Sequence, residues 1–421
     1  MKHQTSSRLI AAGFAATCAA SAQIAAAAGF ALIEQSGSGM GNAFAGAAAT
    51  AEDASTVFFN PAGMSYLPGP QIVVAGHAVN LSTEFTNTGS SPVGGGNGGN
   101  AGDLLFVPNL YFAMPIGAFA FGIGANAPFG LATEYDSTWV GRFQGIKSEL
   151  TTVNINPSVS YKINDMFSVG GGVNYQRTDV ELTNAVALAP LVFGASSLKA
   201  DDDAWGWNLG VIAQISPDMR VGFSYRSPIK YELEGDITVT GPTGAVVAPA
   251  SEPARADVTF PDMFSVGVMQ KFNDKWDFMG DITFTHWNHV DTIDVFGLRT
   301  GQQKDQLVLK LENSWRIAFG LNYHYNDRWT FKGGAAWDQS PVNDVYRTVR
   351  LPDEDRYWVS IGAKYRFNNK FSVDLGYAHL FVNDTSINQT RTQFNSTFTT
   401  TVRGDYEASV DLFSLQLTYT F

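Results

Sequence analysis

One cysteine, Cys18, stands in a chain of 421 residues, so a disulfide framework within the chain is excluded. Beyond the first 27 residues no run of 18 or more apolar residues occurs, and a helical membrane span is excluded with it. Charge is sparse, at 16% of residues, and the balance of −12 disfavours nucleic acid as a partner. Catalytic signals are missing as well. His77, His324 and His379 have no Ser or Cys partner in a recognisable motif. His286-Trp287-Asn288-His289 has the spacing of two metal ligands on a helix, but the segment reads as a strand, where i and i+3 point to opposite faces. The glycine run 94–99 lacks the lysine and the strand-to-helix setting of a phosphate cradle, and Asp201-Asp202-Asp203 reads as a solvated loop. No catalytic residue, metal or cofactor is assigned, and an enzyme is not expected.

What the chain has is small residues and aromatics: 42 glycines, and Phe, Trp and Tyr at 13%. Its start reads as a secretory leader. Lys2, His3 and Arg8 precede an apolar stretch at 9–20, and Ala25-Ala26-Ala27 offers a cleavage site, so residues 1–27, Cys18 included, are expected to be removed. Residues 28–70 then form a Gly/Ala/Ser-rich segment without strand alternation. It runs from Ala28-Gly29-Phe30 through Ser36-Gly37-Ser38-Gly39 to Asn60-Pro61-Ala62. Small side chains suit a segment threaded through a confined space, and residues 71–421 are expected to form a wall around it.

That wall is legible as alternation. Phe413, Leu415, Leu417, Tyr419 and Phe421 interleave with Ser414, Gln416, Thr418 and Thr420, and 315–323 and 359–367 behave alike. Six separators are short and polar: Gly117, Asn164-Asp165, Ser216-Pro217-Asp218, Asn273-Asp274-Lys275, Asn326-Asp327-Arg328 and Asn368-Asn369-Lys370. Asn, Asp and Gly accept the backbone of tight hairpins. Between them lie longer segments, expected to be irregular loops, at 86–103, 128–149, 185–203, 237–257, 296–305, 343–355 and 388–402. Six turns alternating with seven loops imply an all-β, antiparallel, 14-stranded transmembrane barrel whose short turns face the periplasm. An aromatic or Met follows nearly every turn and reads as an interfacial girdle. Phe421, an aromatic ending an alternating strand, resembles the signal read by the outer-membrane assembly machinery. The expected surroundings are outer-membrane lipid and lipopolysaccharide of a Gram-negative cell.

If the aromatics face lipid, the opposite parity faces the lumen and carries Arg220, Arg226, Asp281, Arg316, Lys332, Lys364 and Asp374. Cations at mid-membrane on the lipid side cost roughly 2–4 kcal/mol each, which supports this orientation. Arg316 and Lys332 are the candidates to meet a substrate carboxylate, against pairing with hatch acids such as Glu34, Glu52 and Asp53. The octet 186–193, with Val186, Leu188, Leu191 and Phe193, is an apolar stretch in a segment facing water and is a candidate capture site. Asn126-Ala127-Pro128-Phe129-Gly130 ends an apolar strand with residues that weaken pairing, so the wall should bend or open there.

Taken in order, these motifs resemble the FadL family of outer-membrane transporters for long-chain fatty acids and other hydrophobic compounds. Pro108-Asn109-Leu110-Tyr111, Tyr225-Arg226-Ser227, Asp338-Gln339-Ser340-Pro341-Val342 and Leu351-Pro352-Asp353-Glu354-Asp355-Arg356-Tyr357-Trp358 carry the resemblance alongside the N-terminal motifs. It implies a monomeric barrel with residues 28–70 folded inward as a hatch, Phe30 near its start and Asn60, Pro61 and Ala62 as a latch near the first strand. It further implies capture by extracellular loops, an internal pocket, and passive sideways exit through a gap beside Asn126, Pro128, Phe129 and Gly130. The alternatives are an aromatic hydrocarbon carried by the same route, which would need no cation in the pocket, and a general porin, which would need an open lumen.

Overall fold

The computed structural model describes residues 29–393 and 397–421; the expected leader, Cys18 and Ala28 lie outside them. Twenty strands follow one another along the chain. The first ten are β1 (Gln71–Asn87), β2 (Leu104–Ile116), β3 (Phe119–Asn126), β4 (Gly130–Glu134), β5 (Lys147–Lys162), β6 (Phe167–Ala189), β7 (Val192–Ser216), β8 (Met219–Arg226), β9 (Ile229–Thr240) and β10 (Glu252–Phe260). The rest are β11 (Met263–Asn273), β12 (Trp276–Thr285), β13 (Thr292–Gly297), β14 (Gln303–Val308), β15 (Ser314–His324), β16 (Trp329–Asp338), β17 (Arg356–Arg366), β18 (Phe371–Val382), β19 (Thr385–Thr392) and β20 (Thr399–Thr420).

Fourteen of these close a ring. Antiparallel pairing runs β1-β2-β3-β5-β6-β7-β8-β11-β12-β15-β16-β17-β18-β20, and β20 returns to β1. Closure satisfies every edge, which hydrocarbon requires. The alternation has the sense of a membrane protein: Phe119, Phe121 and Ile123 stand exposed on the outer face, while Asn154, Asn156 and Gln416 are buried inside. The six short turns sit at one rim. In four of them the Asn side chain accepts the two backbone N–H groups that follow: Asn164, Asn273, Asn326 and Asn368.

At the opposite rim the expected irregular loops 86–103 and 343–355 are irregular, whereas others are partly or, at 185–203, almost wholly strand. The 185–203 segment belongs to β6 and β7, which pair up to Ala189↔Val192. Alternation simply continues above membrane height, because β9 supplies a further partner for β7 at 195–201. β9, β10, β13 and β14 pair in succession as a flap growing from β7, so 237–257 and 296–305 are mostly hairpin too. β19 extends β20 in the same way, and the 128–149 segment contains β4, which rejoins β5.

Residues 29–70 fill the lumen as short turns of helix, α1 (Gly37–Met40), α2 (Ala47–Thr50) and α3 (Thr56–Phe59), then a 3-10 turn, Pro61–Tyr66. No long helix face is needed, because the wall supplies the packing. A Cβ at Gly222 would land on the Ala48 carbonyl oxygen, and one at Gly210 on the Asn60 side chain. Glycine is the residue that lets backbone approach this closely.

Candidate functional site

Polar side chains fix the hatch from below. Glu52 bonds Lys332 at 2.7 Å and Lys364 at 2.9 Å, and Lys332 also reaches Asp374 at 3.3 Å and the Ser38 carbonyl at 2.8 Å. Burial opposes the charge on Glu52, but the two lysines outweigh it and hold its carboxyl down at about 2. Asp53 accepts from Ser38 Oγ and from Gln416 Nε2, each at 2.7 Å. Lys332 therefore lies among hatch acids and lines neither of the apolar cavities described next. Asn60 donates to the carbonyls of Ala48, Val211 and Phe223 at 2.6–3.2 Å, and Ser168 donates to the Ala62 carbonyl at 2.9 Å. The Asn60-Pro61-Ala62 stretch is thus held by β6, β7 and β8, rather than by the neighbourhood of the first strand. The reason is a pair of glycines in the wall: Gly170 admits the Pro61–Ala62 backbone and Gly210 the Asn60 side chain.

Above the hatch a cavity with about 1000 Å³ free of protein atoms, open mouth included, lies against β8, β11, β12 and β15. Leu32, Ile33, Phe58, Phe59, Leu209 and Met263 give it an apolar lining. Arg316 enters it, 6% exposed. One guanidinium nitrogen donates to the Ala43 carbonyl at 2.7 Å and the group lies 5.1 Å from the Trp358 ring, but Nε and Nη1 have no partner among the described residues. Asp281 and Asp338 line the same cavity. Arg226 lines it too, committed to Asn174 at 2.5 Å and to the Phe58 carbonyl at 3.1 Å.

A second cavity of about 920 Å³ opens toward the extracellular flap. Leu150, Val180, Leu198, Leu233, Val258 and Leu307 line it, one or two side chains from each of several strands. The charged side chains on its lining are Glu149, Arg255 and Arg350, and Arg350, 4% exposed, donates to the Lys147 carbonyl and Ser148 Oγ at 2.9 Å and keeps Nε unpartnered among the described residues. Burial pulls the Arg350 guanidinium down to about 10, still a cation at neutral pH.

Between the cavities stands Phe30. Its ring meets Trp287 at 4.6 Å, Phe260 at 5.2 Å and Phe129 at 6.0 Å. Phe30 lines the outer cavity, while the next residues, Ala31, Leu32 and Ile33, line the inner one. Beside this barrier the wall is interrupted. β3 pairs with β5 as far as Asn126↔Asn154 and pairing resumes at Gly130↔Thr151, so three residues face two. β2 and β3 separate outward of Leu110↔Ala125, although β2 continues along β1 to Asn80↔Leu104. The start of the hatch fills the breach: Leu32 N donates to Pro128 O and Gly130 N to Phe30 O, both at 2.8 Å. Gln35 donates to Ala127 O at 2.8 Å and Asn109 to Glu34 O at 2.9 Å. Glu34 is buried with one carboxylate oxygen unpartnered among the described residues, and burial pushes its carboxyl up to about 7.

The octet at 186–193 does not reach either cavity. It is the tip of the β6–β7 hairpin, where Leu191 is 91% exposed with φ +63°. Leu188 is partly exposed, Val186 packs against Ile237 and its neighbours, and Phe193 meets Phe143 edge-on at 5.1 Å. The groove residues themselves carry no local signal, since each is one apolar position in an ordinary alternating strand. His286 and His289 also differ from expectation. β12 ends at Thr285 and a 3-10 turn, Trp287–His289, follows, so both imidazoles meet Asp262 instead of pointing apart.

A family model described as outer membrane protein transport protein (OMPP1/FadL/TodX) matches residues 18–421. Outer membrane protein P1 of Haemophilus influenzae (strain ATCC 51907 / DSM 11121 / KW20 / Rd) is 32% identical over 442 residues, covering 94% of this chain and 95% of its own. The long-chain fatty acid transport protein of Escherichia coli (strain K12) is 30% identical over 412 residues, covering 88% and 91%. Among solved structures, a Pseudomonas aeruginosa FadL homologue superimposes with a TM-score of 0.88 at 25% identity, covering 94% of this chain and all of its own. The Pseudomonas putida toluene transporter TodX shares the fold, with a TM-score of 0.69 at 18% identity over 94% of this chain and all of its own.

Proposed function

As the chain belongs to the OMPP1/FadL/TodX family of outer-membrane transport proteins, we propose that its cargo is long-chain fatty acids, moved inward without a catalytic step. The observation that carries this reading is the pair of buried arginines with free N–H groups, Arg350 in the outer cavity and Arg316 in the inner one. A buried cationic donor left unpaired is costly, and a carboxylate head group offers it a charge-assisted bond. In this reading the acid enters between the flap strands, passes Phe30 into the inner cavity, and leaves sideways at Ala127-Pro128-Phe129 once residues 31–35 withdraw from the breach. Flow is diffusive and is drawn by removal of the acid inside the cell.

Aromatic hydrocarbon transport is the second reading, favoured by one observation: Asp281 and Asp338 share the inner cavity with Arg316 and Arg226, so its formal charge is already balanced. Binding of oleate and of toluene to the refolded full chain separates the two. With Arg316→Ala or Arg350→Ala, oleate affinity is expected to fall about 10-fold or more, the loss of a bond to a charged group, and toluene affinity to stay. Equal oleate affinity in both variants overturns the fatty-acid reading. Pro128→Val with Gly130→Val should slow oleate uptake by a host lacking its own transporter while leaving binding intact.

A further inference from the structure

At the end of the wall opposite the short turns, beside the inner cavity but not on its lining, three metal-ligating atoms converge. The residue before β11, Asp262, presents Oδ1 to His286 Nδ1 at 3.2 Å and to His289 Nε2 at 3.1 Å. The two imidazoles lie with ring centres 4.6 Å apart, and all three ligand atoms fall within 4.8 Å of one another. Among the described residues this is the only such convergence of three His, Cys or acidic side chains. An ion with bonds of about 2.0–2.1 Å in tetrahedral or octahedral geometry sets its ligand atoms about 2.9–3.4 Å apart. Both measured separations are edges of that size.

The arrangement is built into the backbone. The 3-10 turn closes with Val290 N on Trp287 O at 2.8 Å, and His286 N bonds Asp262 O at 3.0 Å, which ties the turn to the start of β11. Asn288 N is held by Asn313 Oδ1 at 3.1 Å. The Tyr225 hydroxyl approaches the Asp262 carboxylate as well, the kind of outer partner that orients a ligating carboxylate. Asp262 is buried while the two histidines are about one-third exposed, at 36% and 35%. One carboxylate and two imidazoles thus face an approach open to water.

We propose that Asp262, His286 and His289 bind one late first-row divalent cation, Zn²⁺ being the reference ion, with water completing its coordination. Two nitrogens and one oxygen suit such ions, whereas Ca²⁺ and Mg²⁺ require mostly oxygen. The bound ion would fasten the turn that carries Trp287, the side chain whose ring edge bears on Phe30 between the two cavities. The inference is independent of which cargo the barrel carries.

Tag-free full chain in detergent, stripped with a chelator, is titrated calorimetrically with Zn²⁺. One ion per chain is expected, and the stoichiometry should vanish in His286→Gln/His289→Gln. Uptake by the double variant equal to that of the parent overturns the site. Cu²⁺ loaded into the parent provides a readout that no variant's folding can confuse. Electron paramagnetic resonance should show coupling to two imidazole nitrogens, and a spectrum without nitrogen coupling overturns the assignment.

Discussion

The two ends of the hatch are held by opposite chemistry. Its lower part, residues 36–66, is fixed by Glu52 between two lysines, by Asp53 on Gln416, by Asn60 on three carbonyls, and by glycines that let its backbone touch the wall. Its first residues, 29–35, rest on aromatic edges and a few hydrogen bonds, of Gly29 N to the Asp353 carboxylate, of Asn109 to Glu34 O, and to a stretch of wall that has itself left the sheet. Breaking the lower set exposes buried charge, which costs several kcal/mol. The upper set can be exchanged for similar apolar contacts with a ligand. One segment thereby contains both an anchor and a gate, and a break in the wall lies beside the gate.

Loss of the anchor should have the largest effect. Gly222→Val puts a side chain onto the Ala48 carbonyl, and overpacking of this kind costs about 3 kcal/mol. Expected are a barrel that refolds with its hatch displaced and large, steady steps in planar-bilayer conductance; parental conductance would break the comparison. Lys332→Ala comes next. It leaves Asp374 and the partly exposed Glu52 sharing Lys364, at about 3 kcal/mol or less, the low end for breaking a buried pair, read as a lower denaturation midpoint in detergent with little change in oleate affinity.

The gate should respond to pH. The Glu34 carboxyl rises from an ordinary 4.5 to about 7 through burial, with Arg356 and Arg316 opposing and Asp338 reinforcing. A raised acid binds more protons in the packed state, so packing of residues 31–35 is firmest below about pH 4.5 and weakens as pH climbs toward 7. The slope is no steeper than about 1.4 kcal/mol per pH unit. Hydrogen exchange at Leu32 and Gly130 should quicken over that range in the parent and lose its pH-dependence beyond the chemical rate in Glu34→Gln. Phe30→Leu should have the smallest effect. It keeps apolar bulk and gives up edge contacts worth about 0.5–1.5 kcal/mol. Oleate uptake is expected to quicken several-fold, with stability lowered by no more than that amount.

The barrel was legible because its signals are local: an Asn at four of the six tight turns, strict alternation, and an Asn-Ala-Pro-Phe-Gly stretch that cannot continue a strand. The site was less so, because its signals are not. Leu150, Val180, Leu198 and Leu233 become a groove only when four strands are in register, and nothing in any one of them differs from a lipid-facing leucine. Arg350 sits in a segment read only as a loop, and its free Nε follows from partners at 147–148 and 183–184. The octet at 186–193 misled because an apolar hairpin tip and an apolar groove look alike in sequence. Arg316 stood out by strand parity, a local property, and lines the inner cavity.

The ladder joining β1 to β20, from Gln71↔Thr420 to Asn87↔Gly404, has a kinetic consequence. Every other seam of the ring joins strands separated by a turn, a loop or a short excursion such as β9 and β10 between β8 and β11, and contacts of that range form earlier. This one requires segments more than three hundred residues apart to meet in register, as the pairing of Gln71 with Thr420 shows. Contacts of such separation form slowly, since chain entropy is lost before any bond compensates it. The time this protein needs to become a cylinder is therefore set at one zipper, and until it shuts the glycine face that receives the hatch lies open along one side.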